Sequence, residues 1–351
     1  MKKKLKILIK STLQKIHRFN YHHQHKLKAE ATLKSIESEK GKLSQIFKKM
    51  SQEYAHEVLG WTGFAPWLNV YAAIAGEFKE GWIPDNYYGV FLVPKLKGLY
   101  GRISGAKSLS SKLLNTDKLP DIVYYVNGLF FTSSMKMLPV ESVGKYLFNN
   151  NDRIVYKVDN SLQGKGIHIF TKETFNTATI YSLGNGVFQK YIEQHVFFEE
   201  IMPKSVATLR LTSVIENDGS ASCRAAYLRI GRSEDSYVKS SSAIKVSVDV
   251  ISGRLHEQGY LPNFCSVKSH PDTHFTFEGK VLPKFSECVA YILKTHQEIP
   301  FCRSIGWDLI VDKDEQIQLI EWNGNHNGIK FSEATQGPCF ADLGWEELWK
   351  E

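Results

Sequence analysis

The sequence lacks any long uninterrupted apolar run, and no segment approaches the roughly 20 apolar residues that a membrane-spanning helix needs. Residues 1–10 begin like a signal peptide, with lysines ahead of an apolar stretch. That stretch is only three uninterrupted residues long, and no small-residue cleavage site follows it. We therefore expect a chain that is soluble or only peripherally bound to a membrane.

Cysteine is also scarce, and no two cysteines have the spacing of a metal-binding or redox motif. Their number is odd, so neither a zinc centre nor a disulfide framework is favoured, and a reducing cytoplasm fits best. The five cysteines are Cys223, Cys265, Cys288, Cys302 and Cys339.

Acidic residues are few only in the first part of the chain. Residues 1–50 hold fourteen Lys and Arg against three acids, a local charge of +11. The whole chain carries +7, so residues 51–351 are mildly acidic, at −4. A basic arm of this kind suits nucleic acid, an anionic membrane or a polysaccharide. Nucleic acid ranks last and is not expected as a partner, because few aromatic residues accompany the first lysines and no nucleic-acid-binding module is visible.

Residues 3–20 of the arm predict a basic amphipathic helix. One interpretation is a helix lying on an anionic membrane, and the other is a solvated helix that packs one stripe on the body of the protein. We expect a polar linker at the histidine-rich residues 22–25 and one or two charged helices over residues 26–56. The apolar positions that share one face of the first helix are Leu5, Ile9, Leu13 and Ile16.

Hydrophobic residues make up 42% of the chain and aromatic residues 12%, enough for a sizeable core. A length of 351 residues predicts two or three domains. From about residue 121 the pattern changes to short strands without regular βαβ alternation, which predicts an α+β fold with mostly antiparallel sheet. Strands are expected at 122–126, 129–131, 153–158, 167–170, 187–191, 205–216, 221–230 and 243–250. Helices are expected at 172–182 and 285–296.

The most informative segment is a predicted hairpin of two strands, 305–311 and 319–325, joined by a short charged turn. Glu321 and Asn323 are two residues apart on one strand, so they share a face, and Asp308 can lie opposite them. Carboxylate and amide oxygens suit Mg²⁺ that bridges nucleotide phosphates. An unpaired carboxylate in an apolar strand is costly, so metal binding is favoured over a structural ion pair. Asn323 could also be a simple turn residue.

A glycine-rich loop, 159–166, separates predicted strands 154–158 and 167–170. The glycines precede a strand, whereas the P-loop and the dinucleotide fingerprint require a helix there. A Gly-x-Gly tip lets backbone N–H groups approach phosphate oxygens, and Lys157 and Lys165 can neutralise them. Taken alone, the loop favours a plain hairpin turn over a phosphate-binding loop.

Together these motifs resemble the ATP-grasp superfamily in their order along the chain. The motifs are a strand lysine (Lys157), a glycine-rich hairpin (163–166), a strand ending at 188–192, and Asp308 followed by Glu321-x-Asn323. The finer resemblance is to the sugar-transfer-associated ATP-grasp group found with bacterial capsule and surface-polysaccharide genes. The segments that resemble this group are residues 205–210, 228–232, 248–253, 270–273 and 306–308.

The resemblance implies an ATP-grasp fold, in which two α+β subdomains clamp ATP between antiparallel sheets, preceded here by a helical extension. The boundaries that we expect are 1–56 for the basic helical extension, 57–120 for the N-terminal domain, 121–192 for the lid subdomain and 193–351 for the catalytic subdomain.

The resemblance also implies roles for individual residues. ATP would be bound by Lys112, Lys157, Ser161, Gln163, Gly164, Lys165, Gly166, Gln189, Lys190, Tyr191, Ile192, Asp308 and Glu321. Two Mg²⁺ ions would be bound by Asp308, Glu321 and Asn323. The catalytic set would be Arg210 and Lys157, which neutralise the transferring phosphoryl group, with Arg229 as a possible clamp for a sugar carboxylate; a solvated strand end is the alternative for Arg229.

The activity implied is that of an ATP-dependent carboxylate–amine ligase that forms an acyl phosphate. Its acid would be a hexuronic-acid carboxylate of a capsular or surface polysaccharide or its precursor, and its amine an amino acid or amino alcohol. We expect it in the cytoplasm, with the inner face of the membrane as a peripheral site. Two alternatives stay open: an ATP-dependent sugar kinase, and a peripheral adaptor without catalysis.

Overall fold

The computed structural model describes residues 2–161, 166–235, 237–239 and 241–350, with side chains from residue 12 onward. The chain forms two compact units. The first unit consists of Met1–Lys95, Asn263–Cys265 and Gly328–Glu351, and the second of Leu96–Pro262 and Ser266–Asn327. The finer division predicted at residues 56, 120 and 192 stays a prediction.

The secondary structure alternates between helical and strand-rich stretches. The α-helices are α1 Lys2–Lys40, α2 Gln45–Glu57, α3 Ala65–Ala75, α4 Asp85–Tyr87, α5 Gly98–Arg102, α6 Ser110–Leu113, α7 Val140–Leu147, α8 Thr177–Leu183, α9 Val196–Ile201, α10 Phe285–His296 and α11 Lys330–Thr335. A π-helix covers Tyr88–Lys97, and 3₁₀ turns cover Thr62–Phe64, Ile103–Gly105, Lys107–Leu109 and Trp345–Lys350. The strands are β1 Asp121–Val126, β2 Leu129–Thr132, β3 Met137–Leu138, β4 Arg153–Val158, β5 Ile167–Thr171, β6 Gly186–Lys190, β7 Thr208–Ile215, β8 Ala221–Ile230, β9 Ile244–Val248, β10 Leu255–Tyr260, β11 Ser266–Val267, β12 Ser304–Val311 and β13 Ile317–Asn323.

The first unit is helical, and its long helix α1 contains the histidine-rich segment. The polar linker expected at residues 22–25 is therefore wrong. His22 is buried and lies 3.3 Å from the amide nitrogen of Asn86, while Trp67 donates from Nε1 to Nδ1 of His25 at 3.1 Å. These contacts with residues distant in sequence hold the segment in the helix. None of the described helices is long and apolar enough to cross a membrane.

The second unit contains two antiparallel sheets, which confirms the α+β prediction. The strand order is β3-β2-β1-β6-β4-β5 in the six-stranded sheet and β11-β10-β9-β8-β7-β12-β13 in the seven-stranded sheet. Helix α8 begins later than predicted, because the Asn176 side chain caps it by accepting from the backbone N–H of Ala178 at 2.8 Å. Helix α10 has the predicted bounds.

The predicted hairpin is confirmed as β12 paired with β13. Asp308 lies opposite Glu321, and Gly306 opposite Asn323. The register shifts after Asp308, where Ile320 is the extra residue on β13. Because of this bulge, the side chains of Asp308 and Glu321 face the same side of the sheet as Asn323, while the next pair, Leu309 and Leu319, faces the core.

Each sheet packs one face on helices, and the charged side chains described below lie on the other face. In the six-stranded sheet, Val143 of α7 and Ile180 of α8 pack with Tyr156 and Phe188. Because side chains alternate along a strand, Lys157 is on the opposite face of β4. In the seven-stranded sheet, α10 packs on the face opposite to Asp308.

Two chain segments, residues 118–120 and 191–195, connect the sheets. In the first, the Lys118 oxygen accepts from the N–H of Leu319 at 2.9 Å, and the Pro120 oxygen accepts from the N–H of Lys190 at 2.8 Å. In the second, the N–H of His195 donates to the Val311 oxygen at 3.0 Å. Both segments thus join the end of β6 to the β12–β13 hairpin.

Candidate active site

One face of the seven-stranded sheet gathers charged side chains from four neighbouring strands. Arg210 of β7 lies opposite Asp308 of β12, which in turn lies opposite Glu321 of β13. On the other side of β7, Thr208 pairs with Arg229 of β8. Because Thr208 and Arg210 share a face, all four charged residues project on the same side.

Asp308 is the centre of this cluster and is held by two arginines. Arg210 donates to it in a fork, from Nε to Oδ1 at 2.5 Å and from Nη2 to Oδ2 at 2.9 Å. Arg229 Nη2 lies 2.7 Å from Oδ2. Burial alone would raise the pKa of Asp308, but the two guanidinium groups outweigh it and lower this pKa. Asp308 is therefore an ionised carboxylate in a buried site.

Arg210 is fixed from a second side. Its Nη1 donates to the backbone oxygen of Asn327 at 2.8 Å. Burial would lower the pKa of Arg210, yet attraction to Asp308 raises this pKa above its usual range. The close packing requires glycine at position 306, since a Cβ there would lie 2.8 Å from Cβ of Asn327 and 3.3 Å from Nη1 of Arg210.

Glu321 and Asn323 complete the oxygen donors on the hairpin. The Glu321 side chain is 32% exposed, and its Oε1 lies 3.4 Å from Nζ of Lys107. Asn323 donates from Nδ2 to the Gly306 oxygen at 3.3 Å and approaches Asp308 Oδ2 at 3.4 Å. The three predicted metal ligands are thus adjacent on one face.

Lys157 reaches this cluster from the other sheet. Its Nζ donates to the backbone oxygen of Ile320 at 2.9 Å, and its side chain is buried. Burial lowers the pKa of Lys157, while Glu321 and Asp121 oppose that shift. A side chain of the six-stranded sheet therefore meets the strand that carries Glu321.

Lys107 is a site residue that sequence reasoning missed. Besides facing Glu321, its Nζ donates to the Ser161 oxygen at 3.3 Å. Its backbone N–H donates to Oδ1 of Asp159 at 2.8 Å, which ties this turn to the end of β4. The predicted residue, Lys112, is exposed on α6 instead. No motif marks Lys107, since only the fold brings its turn to the hairpin.

The base of the glycine-rich loop is compact. Ser161 donates from Oγ to the Val158 oxygen at 2.6 Å, and the Val158 N–H donates to the Gly166 oxygen at 2.9 Å. A Cβ at Gly166 would lie 2.3 Å from Cβ of Ser161, so this approach requires glycine. The predicted phosphate-binding residues Gln163, Gly164 and Lys165 lie outside the described residues.

The predicted adenine-reading segment lies at the end of β6. Gln189 is buried and donates from Nε2 to Oδ1 of Asp121 at 2.7 Å, whereas the Lys190 side chain is exposed. Tyr191 and Ile192 follow the strand and are half-buried. These last two residues line a cavity of about 1090 Å³, together with Ile122, Tyr146, Asn150 and Gln318. Lys157 and Asp308 do not line it, so the cavity adjoins the charged cluster without being part of it.

The donor set fits Mg²⁺ by its chemistry. Two carboxylates and an amide offer the hard oxygen ligands that this ion prefers. Oδ1 of Asp308 accepts from Arg210 alone and keeps a lone pair, whereas Oδ2 accepts from both arginines, so a metal contact by Asp308 would use Oδ1. No group of three or more His, Cys, Asp and Glu side chains that could hold a metal occurs in the described part of the chain, so an ion here would depend on Asp308, Glu321 and Asn323 together. Mg²⁺ bound there would neutralise charge on phosphate oxygens.

A family model, described as sugar-transfer associated ATP-grasp, matches residues 140–342. This match covers more than half of the chain and includes β4 to β13. The chain belongs to this family. The ATP-grasp fold predicted from the motif order is therefore confirmed. No protein of curated function matches the sequence of this ATP-grasp protein.

Several solved structures are distantly similar to this chain. The biotin carboxylase domain of Hydrogenobacter thermophilus 2-oxoglutarate carboxylase, determined with ADP, Mg²⁺ and bicarbonate, is 13% identical; the match covers 70% of this chain and 45% of that one, with a TM-score of 0.43. Campylobacter jejuni biotin carboxylase is 13% identical over 91% of this chain and 67% of that one, with a TM-score of 0.45. D-alanyl-alanine synthetase A of Vibrio cholerae is 12% identical over 81% and 72%, with a TM-score of 0.40. The chain thus spans less than half the length of the first of these proteins.

Proposed function

We propose that this ATP-grasp protein is an ATP-dependent carboxylate–amine ligase. The proposed acid is a hexuronic-acid carboxylate of a capsular or surface polysaccharide or its precursor, and the proposed amine is an amino acid or amino alcohol. Membership of the sugar-transfer associated family supports a carbohydrate substrate. The proposed setting is the cytoplasm, because the reaction consumes ATP.

One observation carries the proposal. Lys157 of one sheet touches the hairpin of the other sheet, beside three adjacent oxygen donors. The basic residues Lys107, Arg210 and Arg229 surround the same donors, so the cluster has more basic than acidic side chains. Such an arrangement suits a polyphosphate together with a divalent cation.

In the proposed reaction, a carboxylate oxygen of the acceptor attacks the γ-phosphorus of ATP. The bond from that phosphorus to the bridging oxygen breaks, and ADP leaves. The amine nitrogen then attacks the acyl carbon, the carbon–oxygen bond to phosphate breaks, and the nitrogen loses a proton as the amide forms. Such a transfer depends on positioning of the reactants and neutralisation of their charge more than on covalent catalysis by the protein.

The residues of the site divide this work between them. Lys107 and Lys157 would hold phosphate oxygens, and Arg210, fixed by Asp308 and Asn327, would neutralise the transferring group. Among the described residues, Arg229 has a buried Nε without a hydrogen-bond partner. Because an unsatisfied buried donor is costly, we assign this N–H to an anionic group of the acceptor.

The test is product analysis with the full chain. Purified protein is incubated with Mg-ATP, a glycan that contains uronic acid, and a mixture of amino acids and amino alcohols, and the glycan is examined by mass spectrometry. The proposal expects ADP release and a mass increase equal to the amine minus water. Hydroxylamine added in place of the amine should give a hydroxamate.

Other outcomes would select the alternatives. A glycan phosphate ester that resists hydroxylamine would identify a sugar kinase. No ADP release with any acceptor and amine, together with no binding of Mg-ATP, would leave an adaptor without catalysis. Either result overturns the ligase proposal.

A further inference from the structure

Helix α1 exposes the side chains of its turns over residues 12–20. Arg18 is exposed but contacts the rest of the unit, with its guanidinium carbon 5.5 Å from the centroid of the Phe91 ring. Farther along the same helix, His22, Ala29 and Ile36 are buried. The helix is therefore anchored by its later turns, while the turns over residues 12–20 face solvent.

The exposed turns carry large apolar side chains in a stripe. Leu13, Ile16 and Phe19 are 51%, 50% and 71% exposed. Residues three apart on an α-helix are neighbours on its surface, so the three side chains form one continuous face. The sequence continues the same face upstream at Leu5 and Ile9, whose side chains lie outside the described residues. Leu13, Ile16 and Phe19 are thus not packed on the body, which was one of the two interpretations of this helix.

The charge around the stripe has a single sign. Residues 2–29 contain nine Lys and Arg and no acid; the first acid is Glu30. Lys15 and Arg18 are exposed beside the stripe. An exposed apolar face bordered by cations is typical of a helix that lies in the interface of an anionic membrane.

We propose that α1 docks on an anionic lipid surface through Leu13, Ile16 and Phe19, with the surrounding lysines and arginines facing the headgroups. A nucleic acid would use the cations but would gain little from an exposed aliphatic stripe. A second copy of the chain would cover the stripe only by bringing two strongly basic helices together, which repel each other. A lipid surface satisfies both features, and it does not depend on the ligase chemistry.

The experiment is co-sedimentation of the full-length protein with vesicles of two compositions. One set contains phosphatidylcholine alone, and the other contains phosphatidylcholine with phosphatidylglycerol. The protein should sediment with the anionic vesicles, remain in solution with the neutral ones, and bind less as salt rises, because salt screens the attraction. Equal binding to both sets, or binding to neither, would overturn the proposal.

Two variants distinguish binding through the apolar stripe from binding through charge alone and from nonspecific binding by any exposed apolar side chain. The combined variant Leu13→Ser, Ile16→Ser, Phe19→Ser should lose at least about 10-fold in binding, since its apolar burial is removed. The control is Ile46→Ser on α2, which removes an apolar side chain that is 68% exposed elsewhere in the same unit. All four residues are exposed, so thermal unfolding of both variants should match the wild type.

Two further measurements distinguish other occupants of the helix. If the serine variant binds vesicles as well as the wild type, the stripe has no role and the proposal fails. If the wild type binds a DNA duplex with an affinity that the serine variant retains, α1 is a site for polyanions. If light scattering shows that the wild type is a dimer and the serine variant a monomer, the stripe binds a second copy of the chain and the proposal fails.

Discussion

Lys157 on β4 donates to the backbone oxygen of Ile320 on β13 at 2.9 Å, so a side chain of the six-stranded sheet contacts the strand that carries Glu321 and Asn323. Glu321 also lies 3.4 Å from Lys107, whose backbone is tied to Asp159 at the end of β4. The hairpin is therefore linked to β4 through Lys157 and to the glycine-rich loop through Lys107.

Replacing Lys157 should impair the use of ATP. In Lys157→Met, the new side chain is apolar and about as long as the aliphatic part of lysine, but the cation near Glu321 is removed. Loss of one preorganised donor to a reacting group costs about 10²- to 10³-fold in rate, so we expect a loss of that size in kcat/KM for ATP. Steady-state ADP release measures it. Lys172→Met is the control, because Lys172 is exposed beyond β5; equal rates for the two variants would contradict the role of Lys157.

Removing the charge of Asp308 should destabilise the fold as well as the site. Asp308→Asn leaves Arg210 and Arg229 without their buried counter-charge. Loss of one partner of a buried ion pair costs on the order of 3–5 kcal/mol in the free energy of unfolding, which urea denaturation measures. Asp314→Asn, in the exposed hairpin turn, should be neutral.

A second substitution checks the cause of that destabilisation. Adding Arg229→Gln to Asp308→Asn removes one of the two uncompensated charges, so the double variant should recover part of the lost stability. If the two effects simply add, the ion pair that joins these residues does not contribute to stability.

Two lysines before β1 should differ in their effect on ATP binding. Lys107 is buried between Glu321 and Ser161, whereas Lys112 is exposed. Hydrogen bonds to charged groups contribute about 1.5–3 kcal/mol, or about 10- to 100-fold in affinity. Lys107→Met should therefore weaken Mg-ATP binding at least about 10-fold more than Lys112→Met, as measured by calorimetry. The reverse order would return the role to Lys112, as the sequence motif predicts.

A methyl group added at Gly306 should displace Arg210. The new Cβ would lie 3.3 Å from Nη1 of Arg210 and 2.8 Å from the Asn327 side chain. Overpacking of this kind costs about 1–3 kcal/mol of stability, and activity should fall with it because Arg210 moves. Gly144→Ala on α7 is the matched control, since its Cβ would meet Phe175 only at 3.6 Å. Normal activity of Gly306→Ala would show that the position of Arg210 is not critical.

Lys97 should make stability depend on pH. Burial lowers its pKa from 10.5 to about 7, and its Nζ donates to the Asn325 oxygen at 2.7 Å. Between these two pH values the unfolded chain binds the extra proton, so the free energy of unfolding should rise with pH from about 7 to about 10.5. Lys97→Met should flatten this rise in urea titrations across that range. Lys204→Met, which removes an exposed lysine, should keep it.

The hairpin could be predicted from sequence because its information is local. Alternating apolar residues interrupted by Asp308 and Glu321 gave both strands and the shared face of the oxygen donors. A structural ion pair was the disfavoured interpretation of Asp308, yet Asp308 pairs with two arginines. The pairing with Arg229 was not predicted, because it depends on the register of β8 against β7, more than 70 residues before the hairpin. A motif can identify a carboxylate but not the partner that folding places beside it.

Contacts between residues distant in sequence explain why the linker prediction for residues 22–25 was wrong and why Lys107 was missed. The histidine-rich residues 22–25 are polar and were expected in a linker, yet Trp67 and Asn86 hold them inside a helix. Lys107 has no motif around it, since its importance comes from the turn that approaches Asp159. Polar composition therefore predicts exposure only where no distant residue supplies a hydrogen bond.

The central claim is that Glu321, with Asp308 and Asn323, binds the metal–nucleotide complex beside Lys157. Calorimetric titration of the protein with ATP, in the presence and absence of Mg²⁺, tests it most directly, with Glu321→Gln compared against the exposed Glu315→Gln. We predict Mg²⁺-dependent binding that Glu321→Gln weakens at least about 10-fold, equal to about 1.4 kcal/mol, and that Glu315→Gln leaves unchanged. Equal affinity of Glu321→Gln and the wild type, or ATP binding that does not respond to Mg²⁺, would contradict the account.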